Sequence, residues 1–128
     1  MTAYVETDYL LALAKDSDWL KDRAEEALEE RDVVTSTYSY LEILLIHERH
    51  EFDYIKLFSN MLEVVPVKTD EERQIVLKAV NYFDDGMTPF DSFHAATAEN
   101  RSHPILSSDK AYEYVDPERL PLEPTDDE

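Results

Sequence analysis

Short apolar runs that alternate with amphipathic stretches are what most narrows the folds open to this chain. Tyr4-Val5, Val33-Val34, Val64-Val65-Pro66-Val67 and Ile105-Leu106 are too short for buried helices and read as strands or extended edges. The segments between them carry apolar residues three and four apart. Leu20, Ala24, Ala27 and Leu28 share one face behind Ser17, read as an N-cap, and Leu41 and Leu45 share another within a helix from Tyr38 to His50. Phe52, Ile55 and Leu62 mark a further helix. Thr69-x-x-Glu72 is a capping box ahead of Val76, Ala79, Val80 and Phe83. Alternation of this kind predicts parallel βαβ units and a three-layer α/β/α domain with a short central parallel sheet. No repeat or linker divides it, so residues 1–122 read as one domain, with a last strand near Leu120-Pro121-Leu122 and an acidic, loose tail over 123–128.

The segment from Thr88 to Asn100 is the clearest helix. Thr88 sits at its N-cap and Pro89 at N1, where a missing N–H costs nothing. Asp91 then falls at N3, at the positive end of the helix dipole. Gly86, the single glycine, closes the helix before it.

Thirty acidic residues against twelve lysines and arginines give a net charge of −18, spread along the whole chain. Such a charge repels nucleic acid and strains the fold at low ionic strength. At molar salt the screening length falls to about 3 Å and the penalty largely vanishes, so the charge is read as adaptation to a salt-rich cytoplasm. There is no cysteine, which excludes disulfides, thiolate metal sites and a cysteine nucleophile. Met1–Glu6 has no basic lead and no long apolar run, so no secretory signal is expected. Nor does any stretch approach the ~18 apolar residues of a membrane span.

In open parallel sheets functional groups gather beyond the carboxyl ends of the strands. Glu6 and Asp8 follow the first strand and Asp109 a later one, while Glu42 and Asp91 lie in early helical turns that face the same rim. Taken singly, Asp91 is ordinary helix-end chemistry, Asp109 a turn or cap residue, and Glu42 a surface group. Brought together without a cation, five carboxylates would be costly. Carboxylate oxygens suit Mg²⁺ or Mn²⁺, and one such ion, or two about 4 Å apart, can activate water and stabilise a phosphodiester displacement.

These acids stand in a recognisable order: Glu6-Thr7-Asp8-x-Leu10-Leu11, then Leu41-Glu42 behind a run of hydroxyl residues, then Asp91-x-x-His94-Ala95-Ala96-Thr97-Ala98, then Ile105-Leu106-Ser107-Ser108-Asp109-Lys110-x-Tyr112. From about residue 3 to 115 the pattern resembles a PIN domain. The resemblance implies a metal-dependent endoribonuclease that leaves a 5′-phosphate, in many relatives the toxin (VapC) of a VapBC-type toxin–antitoxin pair. By position it places Glu42, Asp91 and Asp109 on metal-ligating acids and Ser107 on the small hydroxyl residue of the last motif. It also implies an RNA substrate, a homodimer and an antitoxin partner. The first motif departs from the usual Asp-Thr-Asn or Asp-Thr-Ser. Either Glu6 reaches the metal with its longer arm, or Asp8, whose shorter arm needs less ordering and is slightly favoured, takes over.

Other readings fare less well. His47 and His50 are three apart, whereas a zinc-protease helix needs histidines four apart. A phospho-receiver would need an aspartate ending the central strand, and Val64–Lys68 offers none. A PIN-fold interaction module that has lost its chemistry draws support from Glu6 alone. His94 is read as a packed core histidine, and Trp19, the tyrosines and Phe93 as packing groups rather than base-stacking platforms.

Overall fold

The computed structural model describes residues 1–15 and 18–124. Strand β1 (Thr2–Tyr4) leads into helix α1 (Thr7–Ala14), and α2 (Lys21–Glu30) precedes β2 (Asp32–Val34) and α3 (Thr37–Leu45). A 3₁₀ turn (His47–Arg49) follows, then α4 (Tyr54–Val64), α5 (Asp70–Asp84) and α6 (Pro89–Asn100). The chain ends with β3 (Ile105–Ser107), a 3₁₀ helix (Lys110–Tyr114) and β4 (Arg119–Pro121). The expected cap at Ser17 lies outside the described residues.

Both strand pairings are parallel, as the alternation predicts. β1 runs beside β2 with Ala3 opposite Val33, and β3 beside β4 with Leu106 opposite Leu120. The sheet hydrogen bonding is thus carried by two parallel pairs flanked by helices. The expected strand at Val64–Val67 does not form. Val64 ends α4, Pro66 has no N–H to give, and a single bond from Thr35 N–H to the Pro66 carbonyl (2.9 Å) ties this segment to the end of β2. Val65 and Val67 are buried all the same, so the segment behaves as an extended edge that packs without pairing.

The main core gathers Leu10, Val33, Tyr40, Ile43, Phe58 and Val76 with their neighbours. Tyr40 is fully buried and spans it: its ring meets Phe58 edge-on at 5.1 Å and its hydroxyl donates to the Val65 carbonyl at 2.7 Å. A buried hydroxyl left unpaired would cost about 1–3 kcal/mol, so this bond fixes where the chain after α4 must run. A second cluster, Ile75, Ala79 and Ala96, joins α5 to α6. Small side chains let the two helices lie close along their length.

Local signals explain the helix limits. Thr69 and Glu72 form the predicted capping box, with both reciprocal bonds present. At the other end of α5, Gly86 N–H bonds the Phe83 carbonyl and Met87 N–H the Tyr82 carbonyl, which requires the positive φ of 111° that Gly86 adopts. The turn delivers Thr88 and Pro89 to the start of α6 as expected, although the Thr88 hydroxyl makes no cap bond. The helix read from Tyr38 to His50 is broken. α3 stops at Leu45, where Ile46 leaves helical geometry and the His47 ring binds the Leu44 carbonyl (2.7 Å), and only one 3₁₀ turn continues.

Several side chains read as packing groups are exposed instead. Trp19 is 88 % exposed, Tyr38 73 %, and Tyr4, Tyr114 and His94 also face solvent. Trp19 and Tyr38 lie at helix entries, where helical spacing says little about which face is covered. His94 points outward because Ser92, Ala95 and Ala96 take the buried face of α6. Phe93 does pack against both clusters, as read. No helix among the described residues is long and apolar enough to cross a membrane.

Candidate active site

Two of the acids singled out in the sequence, Glu42 and Asp91, accept from hydroxyl groups, one in each of two sets. The first forms where β1 and β2 end. Thr35 follows β2, is buried, and donates to the Val5 carbonyl (2.8 Å) while sharing a bond with the Ser39 hydroxyl (2.7 Å). That pins the first turn of α3 to the end of β1. Thr7, the first residue of α1, is also buried and donates to Glu42 Oε1 at 2.9 Å, with a longer contact to the Ser39 carbonyl (3.4 Å). Glu42 is exposed, since Ile43 and Leu44 turn into the core and leave it on the open face. The Tyr4 hydroxyl shares a bond with Ser36 (2.9 Å). That bond, with the Ser39 and Thr35 hydroxyls near by, holds the phenol below its usual value, against burial and then the Glu42 charge.

Glu6 is the N-cap residue of α1, exposed and without a side-chain cap bond. Asp8 lies in the first turn but lines a cavity of about 200 Å³ with Tyr9, Ala12, Arg23 and Ala24, toward α2 rather than α3.

The second set joins α6 to the segment after β3. Asp91 is half-buried in the first turn of α6, and its Oδ1 accepts the Tyr112 hydroxyl at 3.1 Å. Tyr112 is buried, and its phenol is pushed well above the usual value. Burial is the main cause, followed by the hydrogen bond to Asp91 and the charges of Asp91 and Asp109. Asp91 thus meets the phenol directly, while Asp109 acts on it through its charge. Asp109 caps the 3₁₀ helix through Ala111 N–H (2.9 Å), and its own N–H donates to the Ser107 hydroxyl (3.0 Å). Arg119 braces this end from below: its guanidinium donates to the Ser107 carbonyl (2.7 Å) and pairs with Glu113 and Glu123.

The structure thus joins Glu42 to Thr7, and Asp91 to Tyr112 with Asp109 near by. Among the described residues, no three of His, Asp and Glu stand in a group that could hold a metal ion. The donors are chemically apt for a hard divalent cation, being carboxylate and hydroxyl oxygens only. Sequence reasoning did not assign roles to Thr7 and Tyr112. The available signals were a hydroxyl residue between Glu6 and Asp8 at a strand end, and a tyrosine one short turn after Asp109.

No curated protein and no solved structure matches the chain. The family profile described as PIN domain matches residues 3–117, a span that begins in β1, ends past Tyr112 and takes in every acid of both sets. With a match over nearly its whole length, the chain belongs to the PIN domain family, whose members are generally nucleases.

Proposed function

We propose that the protein is a metal-dependent endoribonuclease that hydrolyses RNA phosphodiester bonds, and that it is the toxin of a VapBC-type pair. The observation that carries this reading is the family match over residues 3–117. Glu6 or Asp8, with Glu42, Asp91 and Asp109, would hold Mg²⁺ or Mn²⁺, with Ser107 beside Asp109. A divalent cation bound there supplies a nucleophilic water and offsets phosphate charge. The chain's own part is to keep the acids aimed. Thr7 orients Glu42, Tyr112 orients Asp91, and the cap at Asp109 fixes the start of the last turn. The protein would act in the cytoplasm as a homodimer, restrained by an antitoxin.

The test is cleavage of single-stranded and structured RNA in high salt with Mn²⁺, wild type beside Asp91→Asn. The amide keeps an oxygen for Tyr112 and removes the charge a cation needs. Loss of a metal ligand should lower cleavage at least about a hundredfold. Wild-type protein that neither cuts RNA nor binds Mn²⁺ by calorimetry would sink the nuclease reading. It would favour the interaction module instead.

A further inference from the structure

Beside the two acid sets lies a groove between α3, α5 and α6, about 440 Å³ in volume and within the range of small-ligand sites. Its apolar lining is Tyr38 and Leu41 from α3, Ile75 from α5, and Phe90 and Phe93 from α6, with His94 among them. Tyr38 is 73 % and Phe90 54 % exposed, so two large aromatic faces stand open to solvent. Their positions tie them to the candidate active site. Tyr38 is one turn before Glu42 on the same face of α3, and Phe90 lies in the first turn of α6, the turn that carries Asp91. Tyr38 is thus the helical neighbour of one acid that would act on a phosphodiester, and Phe90 shares a helical turn with another.

The charge around the groove narrows its occupant. Arg101 is the one Lys or Arg in the lining, and it is paired with Glu71 at 2.8 Å, with Glu72 beside them. On a chain of net charge −18 this wall has little to offer a phosphate backbone. It can offer flat, uncharged faces to bases, whose stacking on aromatics depends little on charge and tolerates any base. Stacking of that kind needs unpaired bases.

We propose that the Tyr38–Phe90 groove is a stacking subsite for unpaired bases of single-stranded RNA flanking the cleaved bond. The proposal rests on the nuclease reading for the chemistry next door, but it is tested by binding. Fluorescence anisotropy of a labelled single-stranded oligoribonucleotide is measured in EDTA, so that no strand is cut, with wild type, Tyr38→Ala, Tyr38→Phe and Phe90→Ala. Each alanine variant should bind about tenfold more weakly. Tyr38→Phe, which keeps the ring, should bind as wild type does. An oligonucleotide of the same length with abasic positions should bind wild type as weakly as the normal strand binds Tyr38→Ala.

Both alanine variants are expected to fold, because the rings they remove are largely exposed, and circular dichroism checks this. Unchanged affinity in both would overturn the subsite, as would equal binding of normal and abasic strands. A concentration-dependent dimer in sedimentation that Tyr38→Ala dissolves, with RNA affinity unchanged, would make the groove an interface between two copies and also overturn it. The two readings fail separately. Base-dependent binding without Mn²⁺-dependent cleavage leaves the subsite and removes the nuclease. Cleavage that Tyr38→Ala and Phe90→Ala leave untouched does the reverse.

Discussion

The Tyr112 hydroxyl donates to Asp91 Oδ1 at 3.1 Å, and this bond joins the first turn of α6 to the 3₁₀ helix that Asp109 caps. The donor is buried and the acceptor charged, a combination worth more than a neutral pair. Because the phenol's pKa is raised, its contribution is complete below the unfolded value near 10 and is lost as the pH climbs through the higher folded value. Tyr112→Phe should cost about 1–2 kcal/mol in urea unfolding at neutral pH. It should also blunt the loss of stability that wild type shows above pH ~10. Equal stability of the two proteins would mean that water replaces the phenol at no cost.

Two helix ends use the same reverse turn with different residues. After α5 the left-handed position is Gly86, at φ 111°. After α6 it is Ser102, at φ 58°, where Ser102 N–H bonds the Glu99 carbonyl and His103 N–H the Ala98 carbonyl. A side chain is strained in that region and glycine is not. Ser102→Gly should therefore stabilise the protein by up to about 1 kcal/mol, and Gly86→Ala should destabilise it by about 1 kcal/mol. The second effect comes from the backbone alone, since a Cβ at Gly86 would meet nothing within 4 Å. Paired thermal melts of the two variants check both signs.

The parts of this fold legible in the sequence are those governed by near neighbours. Thr69 with Glu72, Pro89 after Thr88, and Gly86 after Asp85 each act within a few residues, and each was found where expected. The break after Leu45 was not legible, because it depends on a side-chain bond from His47 that apolar spacing does not register. Val64–Val67, read as a strand or an extended edge, takes the second form, since pairing needed a donor that Pro66 lacks. At the candidate site, the order of the acids carried the family. The hydroxyls that hold them could not be read, because Thr7 meets Glu42 across 35 positions and Tyr112 meets Asp91 across 21.

Glu99 and Asp116 offer a pH-dependent link between α6 and the loop before β4. Tyr82 donates to Glu99 Oε1 at 2.6 Å and accepts from Asp116 N–H at 3.2 Å, while Lys78 lies 3.6 Å from Glu99. The hydrogen bond to Glu99, and then its charge, raise the pKa of Asp116. Burial disfavours the charge on Glu99, but bonds from Tyr82 and Asp116 and the Lys78 ammonium outweigh it and lower its pKa. The Asp116 contribution is therefore lost as pH rises through its raised value, and the Glu99 contribution as pH falls through its lowered one. Between the two the link is intact. Asp116→Asn supplies a donor at every pH, so its melting temperature should match wild type in that acidic window and exceed it near neutrality. A parallel pair of curves would show that the carboxyl pair does not form in solution.

The charge on this chain should make its stability depend on salt. At −18, exposed acids on α2 and elsewhere repel one another, and paired cations such as Arg23 with Glu26 and Glu30 offset only part of it. Screening shortens the reach of that repulsion to about 8 Å at physiological ionic strength and about 3 Å at 1 M. The melting temperature should accordingly rise with NaCl, most steeply at the dilute end. Glu29 and Glu118 are both exposed, and converting both to lysine takes the net charge from −18 to −14. The double variant should melt higher than wild type in dilute buffer and converge with it at molar NaCl. If salt raises both proteins in parallel, the gain comes from strengthened apolar burial, which salt also promotes, and charge repulsion is not what limits this fold.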